Sequence, residues 1–343
     1  MTYILVLLAL FGSAFVSSDH LIFPKPAQWP EPAYPFDRNP LSAEKIQLGR
    51  ILFYDPLLSA DQKISCASCH NPYNAFAHAD HALSHGIGDR SGNRNAPALF
   101  NLAWQKSFMW DAAIADLDMQ ALAPISHPDE MGETIAQVVE KIGREKRYQE
   151  AFERAWGSRE VNSQRILFSL SQFMLSLVSS DAKYDRVKKG NDVFTFQEEK
   201  GYRLFSEHCA SCHPEPLFSD YRLHNNGLLP DPLLQDAGHA RISHKREDSL
   251  LFKTPSLRNV EYTYPYMHDG RFKKLSDVIH HYSDGTAFST SVDDRLKGGL
   301  HLSEKEEVDL VAFLLTLTDK EFLFAPEHQY PAEFFNDTSH QSP

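Results

Sequence analysis

Apolar residues recur three and four positions apart along most of this chain, the spacing that lays one face of an α-helix against a core. The clearest run is Ile166, Leu167, Leu170, Phe173, Met174, Leu177 and Val178. It reads as a helix of the interdomain core rather than the lining of a bound group. Ser42 stands where a helix cap belongs, ahead of Leu48, Ile51 and Leu52. Thr195 with Glu198, and Ser303 with Glu306, fit the S/T-x-x-E capping box. The first is followed by Tyr202, Leu204 and Phe205, the second by Val308, Val311, Phe313, Leu314 and Leu317. The pattern predicts a mainly α chain.

Where the periodicity stops, other signals take over. Pro24, Pro26, Pro30, Pro32, Pro35 and Pro40 are too dense for a helix. Residues 19–40 therefore read as an extended arm lying on the body, with a membrane-to-body tether as the alternative. Residues 1–18 hold an apolar run from Ile4 to Phe11 and small residues through Ser18. That run is too short for an ordinary membrane span and suits a secretory signal peptide. Thr2 and Tyr3 supply no positive charge ahead of it, so an uncleaved anchor is the other reading. The segments Asn71–Asn101 and Pro214–Val260 read as long loops. A short repeat links the two halves: Gly49-Arg-Ile-Leu-Phe53 and Gly201-Tyr-Arg-Leu-Phe205. Duplication of one unit accounts for it, with a boundary in the polar stretch Asp181–Asn191 and units at 41–185 and 186–343.

The four cysteines sharpen that division. All lie in two copies of one pentapeptide, Cys66-Ala-Ser-Cys69-His70 and Cys209-Ala-Ser-Cys212-His213. C-x-x-C-H is the attachment signature of c-type haem, in which two thiols bond to the porphyrin and the adjacent imidazole reaches the iron. A four-thiolate zinc site or a redox dithiol uses the same cysteine pairs. Neither explains a histidine directly after both, and zinc pairs usually lie closer than Cys69 and Cys209. Each repeat precedes one motif, which places one haem in each unit, wrapped by a long loop. The expected fold is mainly α: two cytochrome c-like haem domains with long loops and two covalently bound haem c groups. Haem attachment and disulfide-permissive chemistry share the outer side of the membrane, so a periplasmic, exported protein is expected, with no cysteine left for a disulfide. A formal charge of −12 argues against nucleic acid or anionic lipid as partner and for a contact surface that is basic or neutral.

The blocks between the motifs carry a resemblance. Leu48-Gly49-Arg50 through Phe53-Tyr-Asp-Pro56, Arg94-Asn95-Ala96-Pro97, Trp110-Asp111, Gln120 with Pro124, Glu130-Met131-Gly132, Leu257-Arg258-Asn259-Val260 and Tyr264-Pro-Tyr-Met-His-Asp-Gly270 occur in this order. In that order they resemble the bacterial dihaem cytochrome c peroxidases and the related MauG enzymes, from about Leu41 to Pro326. The resemblance implies a peroxidatic haem at Cys66, Cys69 and His70, and an electron-transfer haem at Cys209, Cys212 and His213. Glu130 matches the distal acid, a carboxylate that can take a proton from one peroxide oxygen and return it to the other. Gln120 and Pro124 match residues lining the same pocket. Trp110 matches the tryptophan between the haems, whose ring can relay electrons; packing in a core is the plain alternative. The usual Asp-Gly-Arg after it reads Asp111-Ala112-Ala113 here.

Further implied residues concern metal ligation. His85 corresponds to a loop histidine that caps the peroxidatic iron in the resting state of many relatives, with His78 and His81 beside it; a solvent-facing loop histidine is the alternative. The second haem's sixth ligand in family peroxidases is a methionine at a set distance beyond the Tyr-Pro-Tyr block, and that position is Tyr282, as in MauG enzymes. A phenolate oxygen favours higher oxidation states of iron, a thioether favours Fe(II). His280, His281 and Met267 are the neighbouring alternatives. Asn95, Thr263 and Pro265 match positions that bind a calcium ion between the domains. The expected activity is reduction of hydrogen peroxide to water with electrons from a small c-type cytochrome or copper protein (cupredoxin), in a chain that forms a homodimer in many relatives. A MauG-like oxidase acting on Trp or Tyr of a protein substrate, and a non-catalytic dihaem carrier, are the other two readings.

Overall fold

The computed structural model describes residues 20–285 and 291–336. The proposed signal peptide at 1–18 lies outside them. Among the described residues no helix is long and apolar enough to cross a membrane.

The repeat at Gly49 and Gly201 is the key to the architecture. Helix α1 (Ala43–Tyr54) opens at Ser42, whose hydroxyl accepts from the Lys45 N–H at 3.2 Å. The short haem-motif helix α2 (Cys66–Cys69) follows, then α3 (Leu117–Gln120), α4 (Leu122–Ser126), α5 (Ile135–Arg144), α6 (Lys146–Trp156) and α7 (Ser163–Ser176). Helix α1 crosses α7 at Gly49, where an added Cβ would lie 1.8 Å from the Ser169 carbonyl oxygen. The second unit repeats this contact. After α8 (Lys183–Lys188), α9 (Phe196–His208) is capped by the predicted box: Thr195 Oγ1 accepts from Glu198 N–H at 3.2 Å, and Glu198 accepts from Thr195 N–H at 2.7 Å. Then come α10 (Ala240–Ser243), α11 (Leu275–Asp284) and α12 (Glu304–Leu315), the last with its Ser303–Glu306 box. Helix α9 crosses α12 at Gly201, where a Cβ would lie 1.9 Å from the Asp309 carbonyl oxygen.

Two cores result. The first gathers α1, α5, α6 and α7, and the helix from Ser163 to Ser176 sits in its centre against α1, not in the seam where an interdomain core helix was expected. Its Phe173 meets Phe53 at 5.2 Å, a contact that requires the two helices to close on Gly49. The second core gathers Phe205, Phe218, Leu310, Phe313 and Ile279. The proline-rich arm packs on the first core through Trp29 and Tyr34, and the Trp104 indole N–H donates to Pro30 at 2.8 Å. The chain returns to that core at its other end. Helix α13 (Lys320–Phe324) buries Phe322 and Leu323 there, Tyr54 donates to the His328 carbonyl at 2.6 Å, and α14 (Ala332–Phe335) packs beside it. Chain order assigns this stretch to the second unit; its apolar partners, such as Phe76 and Phe100, lie in the first.

The loops behave as predicted, with a little β-structure. Two residues of β1 (Leu223–His224) pair antiparallel with β2 (Phe252–Lys253). The block Leu257–Val260 forms the seam between units. Arg258 is wholly buried, 2.8 and 2.7 Å from Asp185, under the ring of Trp29 at 4.7 Å. Asn259 donates to Ser179 at 2.9 Å and accepts from Asp319 N–H at 2.8 Å.

Candidate active site

Both pentapeptides are built for a covalently attached haem. The thiols are free, and Cys66 packs on the first core while Cys209 packs on the second, which rules out one site sharing four cysteines. Burial pushes both thiols up to about 12, far from the easily ionised state of a zinc ligand. His70 sets Nδ1 2.8 Å from the Phe76 carbonyl, and His213 sets Nδ1 2.9 Å from the Phe218 carbonyl. An imidazole whose Nδ1–H donates to a carbonyl carries its lone pair on Nε2, the ligating tautomer. Burial lowers the pKa of each ring, His70 to about 4, so both are neutral at pH 7. Among the described residues three buried polar atoms have no hydrogen-bond partner: Arg147 Nε, His78 Nε2 and the Tyr221 hydroxyl. A prosthetic group with carboxylate arms would satisfy such atoms.

Around the first motif the expected residues converge. Glu130 lies near enough to the first motif for its charge to add to the raising of the Cys69 thiol. Its backbone is locked to the His85 loop: the Ile87 N–H donates to the Glu130 carbonyl at 2.8 Å, and a Cβ on Gly86 would lie 2.1 Å from the Asp129 carbonyl oxygen. Burial raises the Glu130 carboxyl above the ordinary carboxylate range, aided by Asp129 and opposed by His127, whose ring is 4.0 Å away. The segment also closes on Pro124, whose carbonyl accepts from Met131 N–H at 3.2 Å. Gln120 turns its amide to Met109 Sδ at 3.7 Å, one residue before Trp110. The His85 ring is half exposed, with Nδ1 2.7 Å from Asp89, and its backbone carbonyl faces Cys69 Sγ at 3.9 Å. The loop histidine thus lies at the first motif while its ring is engaged outward. It lies tilted against His81, and His81 stacks on His78, with ring centres 4.9 and 5.8 Å apart.

The second motif faces a different wall. Tyr282 is half-buried, and desolvation pushes its phenol up to about 12, with Cys209 and Cys212 close enough to add to the shift. Asn226 holds its amide nitrogen 3.4 Å from both the Tyr282 hydroxyl and Met267 Sδ. Among the alternatives, His281 donates to the Asn226 carbonyl at 3.1 Å, while His280 turns outward to Asp284 at 2.9 Å. Tyr282 and Met267 are therefore the side chains presented at this pocket.

The Trp110 indole donates to the Asn95 carbonyl at 2.8 Å. Asn95 is itself pinned, its backbone N–H donating to His268 at 2.7 Å and its amide to Ala82 at 3.1 Å. Of the other two residues expected to ligate calcium, Thr263 is half-buried and Pro265 buried.

A model of the family described as di-haem cytochrome c peroxidase matches residues 43–193, and a cytochrome c model matches residues 198–318. The methylamine utilization protein MauG of Methylorubrum extorquens is 36% identical over 301 residues, 86% of this chain and 83% of that one. The chain belongs to the di-haem cytochrome c peroxidase/MauG family. The cytochrome c551 peroxidase of Nitrosomonas europaea is 32% identical, covering 84% of each chain. A solved MauG-like protein associated with microbial copper homeostasis superposes with a TM-score of 0.81 at 32% identity, over 91% of this chain and 99% of that one. The dihaem peroxidase BthA of Burkholderia thailandensis, 23% identical with a TM-score of 0.72, shares the fold.

As a member of this family the chain is an oxidoreductase with two covalent c-type haems; the two Cys-Ala-Ser-Cys-His motifs are the candidate attachment sites. Several residues at the dihaem site escaped the sequence reading. Arg94 lies between Asp111 at 2.8 Å and Asp236 at 2.6 Å, and Arg241 reaches Asp111 at 2.6 Å. Only Asp111 and Arg94 stood in recognisable blocks. His224 is bracketed by Asp220 and Asp293, each at 2.9 Å, beside Cys212. No local spacing announces that bracket, since Asp293 comes from a distant loop.

Proposed function

We propose that this enzyme reduces hydrogen peroxide to water at the first haem, drawing electrons through the second from a small c-type cytochrome or cupredoxin. The observation that carries the reading is Glu130: a carboxyl beside the first motif, raised by burial, whereas the carboxylates beside the second motif, Asp220 and Asp293, are both paired with His224. When bound, haem supplies iron that accepts peroxide oxygen and stores the oxidising equivalents. The protein's own part is proton handling. Glu130 in its ionised form takes a proton from one peroxide oxygen and returns it to the other, so water leaves rather than hydroxide. Gln120 and Pro124 wall the same space, and Trp110 bridges toward the second unit. Tyr282 would hold the second iron, exchanging its phenolic proton for the metal. Asn95 with the Thr263 and Pro265 carbonyls would hold calcium. His85, its ring turned to Asp89, would reach the first iron only after breaking that contact. Export to the periplasm and a homodimer complete the reading.

Tyr282 favours a second reading, a MauG-like oxidase that draws electrons from Trp or Tyr of a protein substrate. An oxygen ligand holds iron in oxidised states and makes the second centre a poor acceptor from a cytochrome. Stopped-flow mixing of the haem-loaded protein with peroxide, with and without a reduced monohaem cytochrome c, separates the two. Repeated, rapid oxidation of that cytochrome supports the peroxidase; a persistent oxidised spectrum with no cytochrome turnover overturns it in favour of the oxidase. Unchanged spectra in both mixtures would leave a simple carrier.

A further inference from the structure

The motif after Trp110 departs from the family's Asp-Gly-Arg, and the structure shows how each missing part is made good. Ala112 takes the left-handed φ of 57° that glycine adopts freely and that a Cβ disfavours. Ala113 offers the Asp111 carboxylate only a backbone N–H, 3.2 Å from Oδ1. The cation comes instead from another unit: Arg241, 130 positions further along the chain, places a guanidinium nitrogen 2.6 Å from Asp111 Oδ2. Arg94 sits 2.8 Å from the same oxygen and passes on to Asp236 at 2.6 and 2.7 Å. The Asp111 side chain is completely enclosed, so its charge needs this pairing.

The same loop grips the backbone on both sides of Asp111. His239 Nδ1 lies 2.7 Å from the Asp111 carbonyl, and the Lys253 N–H donates to the Trp110 carbonyl at 2.7 Å. The half-buried Lys253 side chain donates to Gln105 at 2.6 Å and to the Ser107 carbonyl at 2.8 Å just upstream. Trp110 is thus placed by first-unit contacts at its indole and by second-unit contacts at its backbone and its neighbour.

We propose that Arg241 is a positioning residue that replaces the arginine absent at 113. By pairing with Asp111 across the seam, it sets the Trp110 ring against the second unit and so sets the rate of electron passage between the haems. The step moves one electron from the second centre to the first, with no bond made or broken. The inference rests on the reading of Trp110 as the bridge. Because Arg241 comes from the partner unit, relative movement of the units is transmitted to the ring, which an arginine two residues from Asp111 could not do.

The test uses the protein carrying both haems. Arg241→Gln, Arg241→Lys and the double variant Arg241→Gln/Ala113→Arg are compared by concentration-independent electron equilibration after pulse radiolysis. Ultraviolet resonance Raman bands of Trp110, identified by difference from Trp110→Phe, report the ring itself. Arg241→Gln is expected to slow equilibration about tenfold, a fraction of what a 1 Å misplacement of reacting groups can cost, and to shift the Trp110 bands. Arg241→Lys recovers part of the rate, since an ammonium can restore the single contact to Asp111 Oδ2 but on a shorter, more flexible stem. Ala113 is exposed, so an arginine there has room, and the double variant is expected to regain most of the rate. Unchanged rate and unchanged Trp110 bands in Arg241→Gln would overturn the inference. If Trp110→Phe leaves the rate unaltered, the bridge reading fails, while the Raman shift still decides the positioning. Arg241 is 58% exposed and Asp111 keeps Arg94, so the glutamine variant is expected to fold. Should it not, the same two readouts on Arg241→Lys decide.

Discussion

The two haem units are alike where the cofactor is held and unlike where it would react. Gly49 lets α1 close on α7, and Gly201 lets α9 close on α12, with Cβ positions only 1.8 and 1.9 Å from a carbonyl oxygen of the partner helix. Phe53, Phe76 and Phe173 cluster in the first unit; Phe205, Phe218 and Phe313 cluster in the second. In each, the phenylalanine after the motif gives its carbonyl to the proximal imidazole. The far sides share nothing. One presents Glu130, Gln120 and the His85 loop; the other presents Tyr282 under Asn226 and Met267. Duplication has thus preserved the scaffold around each motif, while the loops facing the two motifs have diverged, which is what the proposed division of work between the haems rests on.

The largest break in that comparison is expected from Glu130→Gln. The amide keeps the shape and loses the proton, so peroxide turnover should fall about 10²–10⁴-fold, the usual worth of a positioned acid–base group. The second haem's spectrum should stay as it was. The pH profile sharpens the assignment. Because burial raises this carboxyl, the ionised base disappears as pH falls at higher pH than for an exposed glutamate. The wild-type rate should therefore show an acidic limb above the ordinary carboxylate range, and the glutamine variant should lack that limb. A limb retained in the variant would assign it to another group.

Gly49→Ala and Gly201→Ala test the shared part. Either methyl group meets backbone rather than a flexible side-chain tip, so the helices must separate. Overpacking of this kind costs about 3 kcal/mol or more. Thermal unfolding followed in the far ultraviolet should show similar losses for both, and each haem band should report the unit that was altered. A large loss at one position with none at the other would mean that the two crossings are not equivalent.

How much of this was legible in the sequence depended on the distance between the residues concerned. The caps at Ser42, Thr195 and Ser303 and both haem motifs are local, since each partner lies within a few positions, and they were read correctly. The glycine repeat announced a duplicated helix but not its partner, because nothing in the string says that α1 meets Ser163–Ser176. That is why this helix was expected in the seam. The return of Phe322 and Leu323 to the first core was hidden for the same reason. At the site, Glu130 and Trp110 stood in blocks that could be matched in order. The Arg241–Asp111 pair joins residues in different units, and Ala113 marked only that something was missing.

Tyr282→Phe bears on the difference alone. The substitution removes one oxygen from a half-buried side chain and leaves the ring, so folding should change little. If the phenolate holds the second iron, the absorption and magnetic resonance signals of that haem should change while the first haem's remain. Met267, already beside Asn226, would then be the nearest alternative donor, and a shift toward a thioether-type spectrum with a higher reduction potential is expected. An unaltered second-haem spectrum would rule out Tyr282 as a ligand.

The smallest expected effect concerns the helix caps that the two units share. Ser42 accepts one N–H of α1 at 3.2 Å, whereas Ser303 belongs to a reciprocal box with Glu306 and its backbone N–H also finds a carboxylate at 2.9 Å. Replacing either serine by alanine removes one capping bond, worth about 1 kcal/mol. The two cases differ in what remains. Ser303→Ala leaves the Glu306 carboxylate to accept the cap N–H, so its loss should be at the lower end of that range. Ser42 is buried, and its backbone N–H is held by Gln172 at 3.0 Å, so the hydroxyl's removal exposes no new donor beyond Lys45 N–H. Both variants should unfold a few degrees early with haem spectra and peroxide turnover intact. A change in turnover would show that α1 or α12 controls the distal loops, and the separation between a conserved seat and divergent far walls would then have to be given up.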